Sequence, residues 1–152
     1  MLAFIRPSDW ETPLFFHVLG AMVLVGGLFV VALALTAAWR TSDEGNAATL
    51  TRFGYRTLLY VVLPAFVVMR IGAQWTLDES PFDDDASWVG IGFLISDLGG
   101  IGLLVSLILA GLGLRRSNGA PPTIPVRIVT IVTLVLLAAY LIAIWAMTTK
   151  PT

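Results

Sequence analysis

Charged residues divide the chain into four long apolar stretches. Residues 12–39 and 128–149 carry no charge at all, residues 57–77 carry only Arg70, and residues 86–114 carry only Asp97. Each is at least as long as the ~20 residues that cross ~30 Å of hydrocarbon at ~1.5 Å per residue. Lipid cannot satisfy open backbone groups, so all four are expected to be helices. The pattern predicts a single transmembrane domain over residues 1–152, an all-α polytopic four-helix bundle with helices at about 12–39, 54–77, 86–114 and 125–148. Local signals agree with these bounds. Thr12 reads as a cap followed by proline, Ser87 as a cap for the third helix, and Pro125 as the opening of the fourth. Pro64 interrupts the second helix and cannot donate to the Tyr60 carbonyl, which predicts a kink there.

Composition sharpens the class. Of 152 residues, 57% are hydrophobic and 12% charged, and the mean hydropathy is +0.88. A water-soluble domain of this size has too little interior to hide that much apolar surface. Too few charges are present for a disordered chain. Nine Lys and Arg against ten Asp and Glu exclude a basic nucleic-acid-binding face. With no cysteine, neither a disulfide nor a thiolate centre is available. The first span lacks the basic flank of a cleaved signal peptide, because Asp9 and Glu11 precede it.

The placement of the charges sets an orientation. Arg40, Arg52 and Arg56 flank the first connection and Arg115, Arg116 and Arg127 the third, whereas the second, residues 78–85, holds five acids and no base. Short Arg-rich loops stay in the cytoplasm. Both termini and the acidic loop are therefore expected outside a plasma (inner) membrane, an N-out/C-out arrangement, with the Arg-rich loops inside.

This orientation puts the polar residues of the spans in the outer half of the bilayer: His17, Arg70, Gln74, Asp97 and Tyr140. Helical phase aligns His17 with Gly20, Ala21, Leu24 and Leu28, and Asp97 with Gly90, Phe93, Gly100 and Leu104. Small residues on these faces favour close helix packing, and glycines on both sides of the third helix favour self-association or a larger complex. Intramembrane charges are costly, so Arg70 and Asp97 are expected to pair or reach water. The five residues form a candidate buried ligand site, and a structural Arg70–Asp97 ion pair is the alternative reading. His17 is the sole histidine, so bis-His haem ligation within one chain is excluded. A haem b held by His and Met, or copper(I) held by His17, Met69 and Met147, remains open. Hydrolase constellations are absent: Ser96 beside Asp97 is no nucleophile motif. The functional expectation is a small non-enzymatic membrane protein or complex subunit with a polar site of unknown ligand. A haem or copper protein and a transporter or channel protomer are the alternatives.

The run from Pro13 to Gly27 resembles the first helix of the copper-resistance D-like membrane proteins and a related four-helix family. His17, Gly20, Gly26 and Gly27 match that pattern, while Leu24 stands where the family usually has Trp. The resemblance implies a four-helix membrane fold and a ligand role for His17. The second histidine of the haem-linked relatives is missing here.

Overall fold

A computed structural model describes residues 11–79, 87–117 and 124–149. It is all-helical: α1 (Glu11–Arg40), α2 (Glu44–Thr57), a π-helical turn (Leu58–Val62), α3 (Leu63–Asp78), α4 (Ser87–Ser117) and α5 (Ile124–Thr149). The segments α2, the π turn and α3 run without a break, so Glu44–Asp78 is one 35-residue span. Four helices are long and apolar enough to cross a membrane. Three of them match the expected bounds within three residues.

The second span departs from expectation by starting ten residues early, at Glu44 instead of 54. Residues 44–53 look like a loop because Asn46, Thr49 and Arg52 dilute their hydropathy. Their helicity has local and tertiary causes. Asp43 is the N-cap, its Oδ1 accepting the Asn46 N–H at 2.7 Å, which satisfies one of the open donors of the first turn. Ala47, Thr51 and Gly54, spaced four and three apart, are buried, and α2 packs along α1. The Thr51 hydroxyl donates to the Ala47 carbonyl at 2.8 Å, so its burial leaves no orphan.

The disturbance expected from Pro64 takes the form of the π turn that precedes it. Leu63 N–H donates to the Leu58 carbonyl, five residues back. The wider turn relieves the chain where the proline ring and its missing N–H would strain an α-helical ladder.

The helix α1 is the centre of the bundle. It packs along the whole second span on one side and α5 on another, α4 packs along α5, and α3 and α4 touch at few points. Glycines set the closest approach. A Cβ on Gly20 would lie 2.5 Å from the Met69 backbone nitrogen, and one on Gly72 would lie 2.5 Å from that of His17. Gly27 faces Val62 and Gly54 faces Leu35 in the same antiparallel register. Gly20 and Gly72 thus let the two helices meet nearly backbone to backbone, while Gly27 and Gly54 make room for the Val62 and Leu35 side chains, the small-residue packing typical of membrane helix pairs.

The core is built from Leu24, Leu28, Val31 and Leu35 of α1 with Leu58, Val62, Leu103, Val129 and Leu136 around them. The exterior is equally apolar: Met22, Phe29, Leu33, Tyr60, Ile71, Leu94, Leu98, Ile101, Val135 and Ile142 are all exposed. A helix bundle bathed in water carries a polar stripe outside. Here the charged and amide residues gather toward the helix ends, with Arg70 and Asp97 as the exceptions.

Candidate functional site

The close α1–α3 crossing fixes His17. With Gly72 pressed against its backbone, the ring reaches across and Nδ1 lies 3.1 Å from the Met69 carbonyl oxygen. A carbonyl only accepts, so Nδ1 carries the proton. With Nδ1 engaged in this way, Nε2 is the ring atom left for any further contact.

One residue further along α3, Arg70 forms the expected pair: its Nη2 donates to Asp97 Oδ1 at 3.0 Å. Its guanidinium also lies over the Phe93 ring, 4.4 Å from the centroid, a cation–π contact that holds the plane of the group. The remaining terminal nitrogen, Nη1, is buried without a partner. Asp97 is 62% exposed and lies on the outward side of α4 beside Leu94, Leu98 and Ile101. It anchors Arg70 from outside, which differs from the buried position expected of it. Gln74 also stands apart. It is exposed, and its Nε2 donates to Asp78 Oδ1 at 3.1 Å, one helical turn along.

Tyr140 is in place, and Ser96 joins it. Tyr140 is 4% exposed and Ser96 7%, and neither hydroxyl has a hydrogen-bond partner. The Tyr140 hydroxyl abuts Gly99, where a side chain would collide with it. Sequence reasoning gives Ser96 no role, because it forms no catalytic motif. Its readable signal is the stripe Gly92, Ser96, Gly99, Leu103, Ser106, Ala110 and Gly113, which alternates steps of four and three. Every residue in that stripe is buried.

These groups converge on one cavity of about 70 Å³ to which all four spans contribute. His17 and Ala21 come from α1, Met69, Arg70 and Ala73 from α3, Ser96 and Phe93 from α4, and Tyr140 and Ala143 from α5. Leu24 and Val25 of α1 also line it. The wall is apolar except for the four polar side chains, the usual make-up of a site that orients a ligand through a few hydrogen bonds. Buried polar atoms are nearly always paired; three of the unpaired ones among the described residues belong to side chains that line this cavity.

The proposed cofactors meet this geometry differently. Met69 lines the cavity beside His17, but the two residues are in direct contact through the His17–Met69 hydrogen bond. The cavity is also far smaller than the ~300–1,000 Å³ of pockets that enclose drug-sized ligands. Copper(I) needs less room, and His17 Nε2 and the Met69 thioether are suitable soft donors. The Met147 side chain, the third proposed donor, lies outside the described residues. Among the described residues no three His, Cys, Asp or Glu side chains are grouped to hold a metal ion.

A second pair of unpartnered hydroxyls, Ser106 and Thr133, is almost fully buried further along the α4–α5 contact. The register that sets Gly99 against Tyr140 sets Ser106 against Thr133, and neither lines the cavity. Comparison with known proteins finds no matching family model, curated protein or solved structure.

Proposed function

We propose that the chain is a multi-pass inner-membrane protein that binds a small polar ligand in the outer half of the bilayer and performs no chemistry on it. The observation that carries this reading is the set of buried, unpartnered groups around one cavity: Arg70 Nη1, Ser96 Oγ and Tyr140 OH. Leaving such groups unsatisfied costs roughly 1–3 kcal/mol each, a cost that a bound ligand offsets. Orientation follows the arginines, with both termini and residues 78–85 outside and Arg40, Arg52, Arg56, Arg115, Arg116 and Arg127 inside. The first-helix resemblance to copper-resistance D-like proteins supports the same reading, since it implies a ligand role for His17.

Sidedness has a direct test. The chain has no cysteine, so single introduced thiols report alone. In intact cells Asp84→Cys should react with a membrane-impermeant maleimide and Ser42→Cys should not; the reverse result overturns the orientation.

Occupancy is read by native mass spectrometry of protein released from membranes in mild detergent. The wild type should carry a small-molecule adduct that Tyr140→Phe and Ser96→Ala reduce severalfold. A wild type bearing nothing but lipid that both variants retain would contradict a binding role. The same spectra examine the copper(I) reading, which rests on His17 and Met69 sharing the cavity wall. A copper-sized mass that disappears in His17→Ala supports it, and a metal-free spectrum after copper(I) loading rejects it.

A further inference from the structure

The outer side of α4 carries a charge that lipid tails cannot serve. Between Gly90 and Leu112 every exposed residue of this helix is apolar or glycine, except Asp97. Asp97 stands ~10 Å, at ~1.5 Å per residue, inside the apolar segment that begins at Gly90. Its bond to Arg70 uses Oδ1, and among the described residues Oδ2 has no hydrogen-bond partner. Ionised groups within membrane spans nearly always face the bundle interior or a water-filled cavity, yet this one is 62% exposed. We infer that this face of α4 is the interface between two copies of the chain, related by a twofold axis along the membrane normal, with the Arg70–Asp97 pairs of both copies joined in one four-charge cluster.

The spacing of the exposed residues fits a helix partner. Gly90, Leu94, Asp97, Ile101, Leu104 and Ile108 are all exposed and follow one another in steps of four and three, the seam of a parallel helix pair. The buried stripe from Gly92 to Gly113 already faces the chain's own bundle, so α4 has a second packing face turned outward. A Cβ on Gly90 would meet nothing within 4 Å, which leaves the start of the seam open to close approach. Copies inserted under the same charge rule share one orientation. About a twofold axis, residues on the seam then meet their own counterparts.

Charge selects a second copy as the occupant. A partner that supplied a lone Lys or Arg to Asp97 would add an uncompensated positive charge in hydrocarbon, because Arg70 already balances Asp97 at 3.0 Å. A purely apolar partner would leave Oδ2 without a donor. A second copy brings an already balanced pair, so two carboxylates and two guanidinium groups sum to zero. Arg70 is 29% exposed and offers donors only. A polar residue within an apolar seam also fixes register and the number of helices, which gives Asp97 a role beyond holding Arg70. The interface involves neither Ser96 nor Tyr140, and it stands whether or not the cavity binds a ligand.

The test exploits the absence of cysteine from the chain. Leu94→Cys and Ile101→Cys, oxidised in native membranes, should each give disulfide-linked dimers. Met22→Cys on α1 and Ile142→Cys on α5, also exposed, should not. Energy transfer between labelled copies in liposomes, followed as lipid is added, gives the strength of association. Arg70→Met combined with Asp97→Leu should weaken it at least about tenfold, the scale of one or two interhelical hydrogen bonds. Leu104→Trp, which crowds the seam and leaves the charges in place, should weaken it as well and serves if the double variant fails to fold. A wild type that is monomeric at every dilution, or Met22→Cys and Ile142→Cys dimers as abundant as those of the seam, overturns the interface. A folded double variant that associates as tightly as the wild type overturns the four-charge cluster, and undiminished association of Leu104→Trp overturns the seam.

Discussion

Gly20→Ala should destabilise the protein by about 3 kcal/mol or more, although a helix ordinarily gains up to about 1 kcal/mol from replacing glycine by alanine. The added methyl would sit 2.5 Å from the Met69 backbone nitrogen and 2.7 Å from its Cα. Backbone atoms cannot rotate away as a side-chain tip can, so α1 and α3 must separate. Separation loosens the Gly72–His17 contact and pulls the His17 ring from the Met69 carbonyl. The loss is therefore shared by several contacts and reaches or exceeds the upper end of the ~1–3 kcal/mol typical of overpacking. Gly26→Ala is the control on the same helix. Nothing lies within 4 Å of a Cβ there, so the intrinsic helix preference alone acts and stability should hold or rise slightly. Thermal or denaturant unfolding in detergent measures both. Equal effects at the two positions would mean that α1 and α3 do not meet in this register.

The second large effect concerns Arg70 and Asp97. Arg70→Met should cost about 3 kcal/mol, and the double change Arg70→Met with Asp97→Leu should recover most of it. The single change strands a carboxylate among Leu94, Leu98 and Ile101, while the double change replaces a desolvated pair by apolar side chains, a swap that is often neutral or favourable. The magnitude depends on what surrounds Asp97. At 62% exposure the pair would be worth less than about 1 kcal/mol if that exposure were to water. Facing hydrocarbon, the unpaired charge costs roughly 2.5–3.5 kcal/mol. Measured in a bilayer-mimetic environment, a loss near 3 kcal/mol with recovery in the double variant supports a lipid-facing pair. A loss under about 1 kcal/mol would place Asp97 in water.

Much of the candidate site is legible in the sequence. His17, Arg70 and Tyr140 stand out because a polar group inside an apolar run is expensive, and all three line the cavity. Gln74 and Asp97 stand out for the same reason but turn elsewhere. Helical phase places Gln74 on the Arg70 side of α3 and cannot show that Asp78, one turn on, captures its amide. It places Asp97 with Phe93 and Gly100, two residues that touch the second span, but does not say which way the carboxylate points. Ser96 escapes sequence reasoning because an isolated serine among glycines has no chemical signature. Only the facing position of Tyr140 gives it meaning.

Hydropathy and charge along the chain determine by themselves that there are four long apolar helices and roughly where three of them start and stop. They do so because the cost of burying charge and open backbone is local and can be counted residue by residue. They also determine the expected orientation, since that depends on how many arginines each loop carries. Tertiary structure alone decides the length of the second span, because α2 is polar and owes its helicity partly to the α1 surface it covers. It alone decides that Gly20 and Gly72 oppose each other's neighbours, so that a histidine ring on one helix meets a carbonyl on another. Such contacts depend on rotation and register between helices. Those follow from side-chain shape across the whole bundle, and no single segment of sequence encodes them.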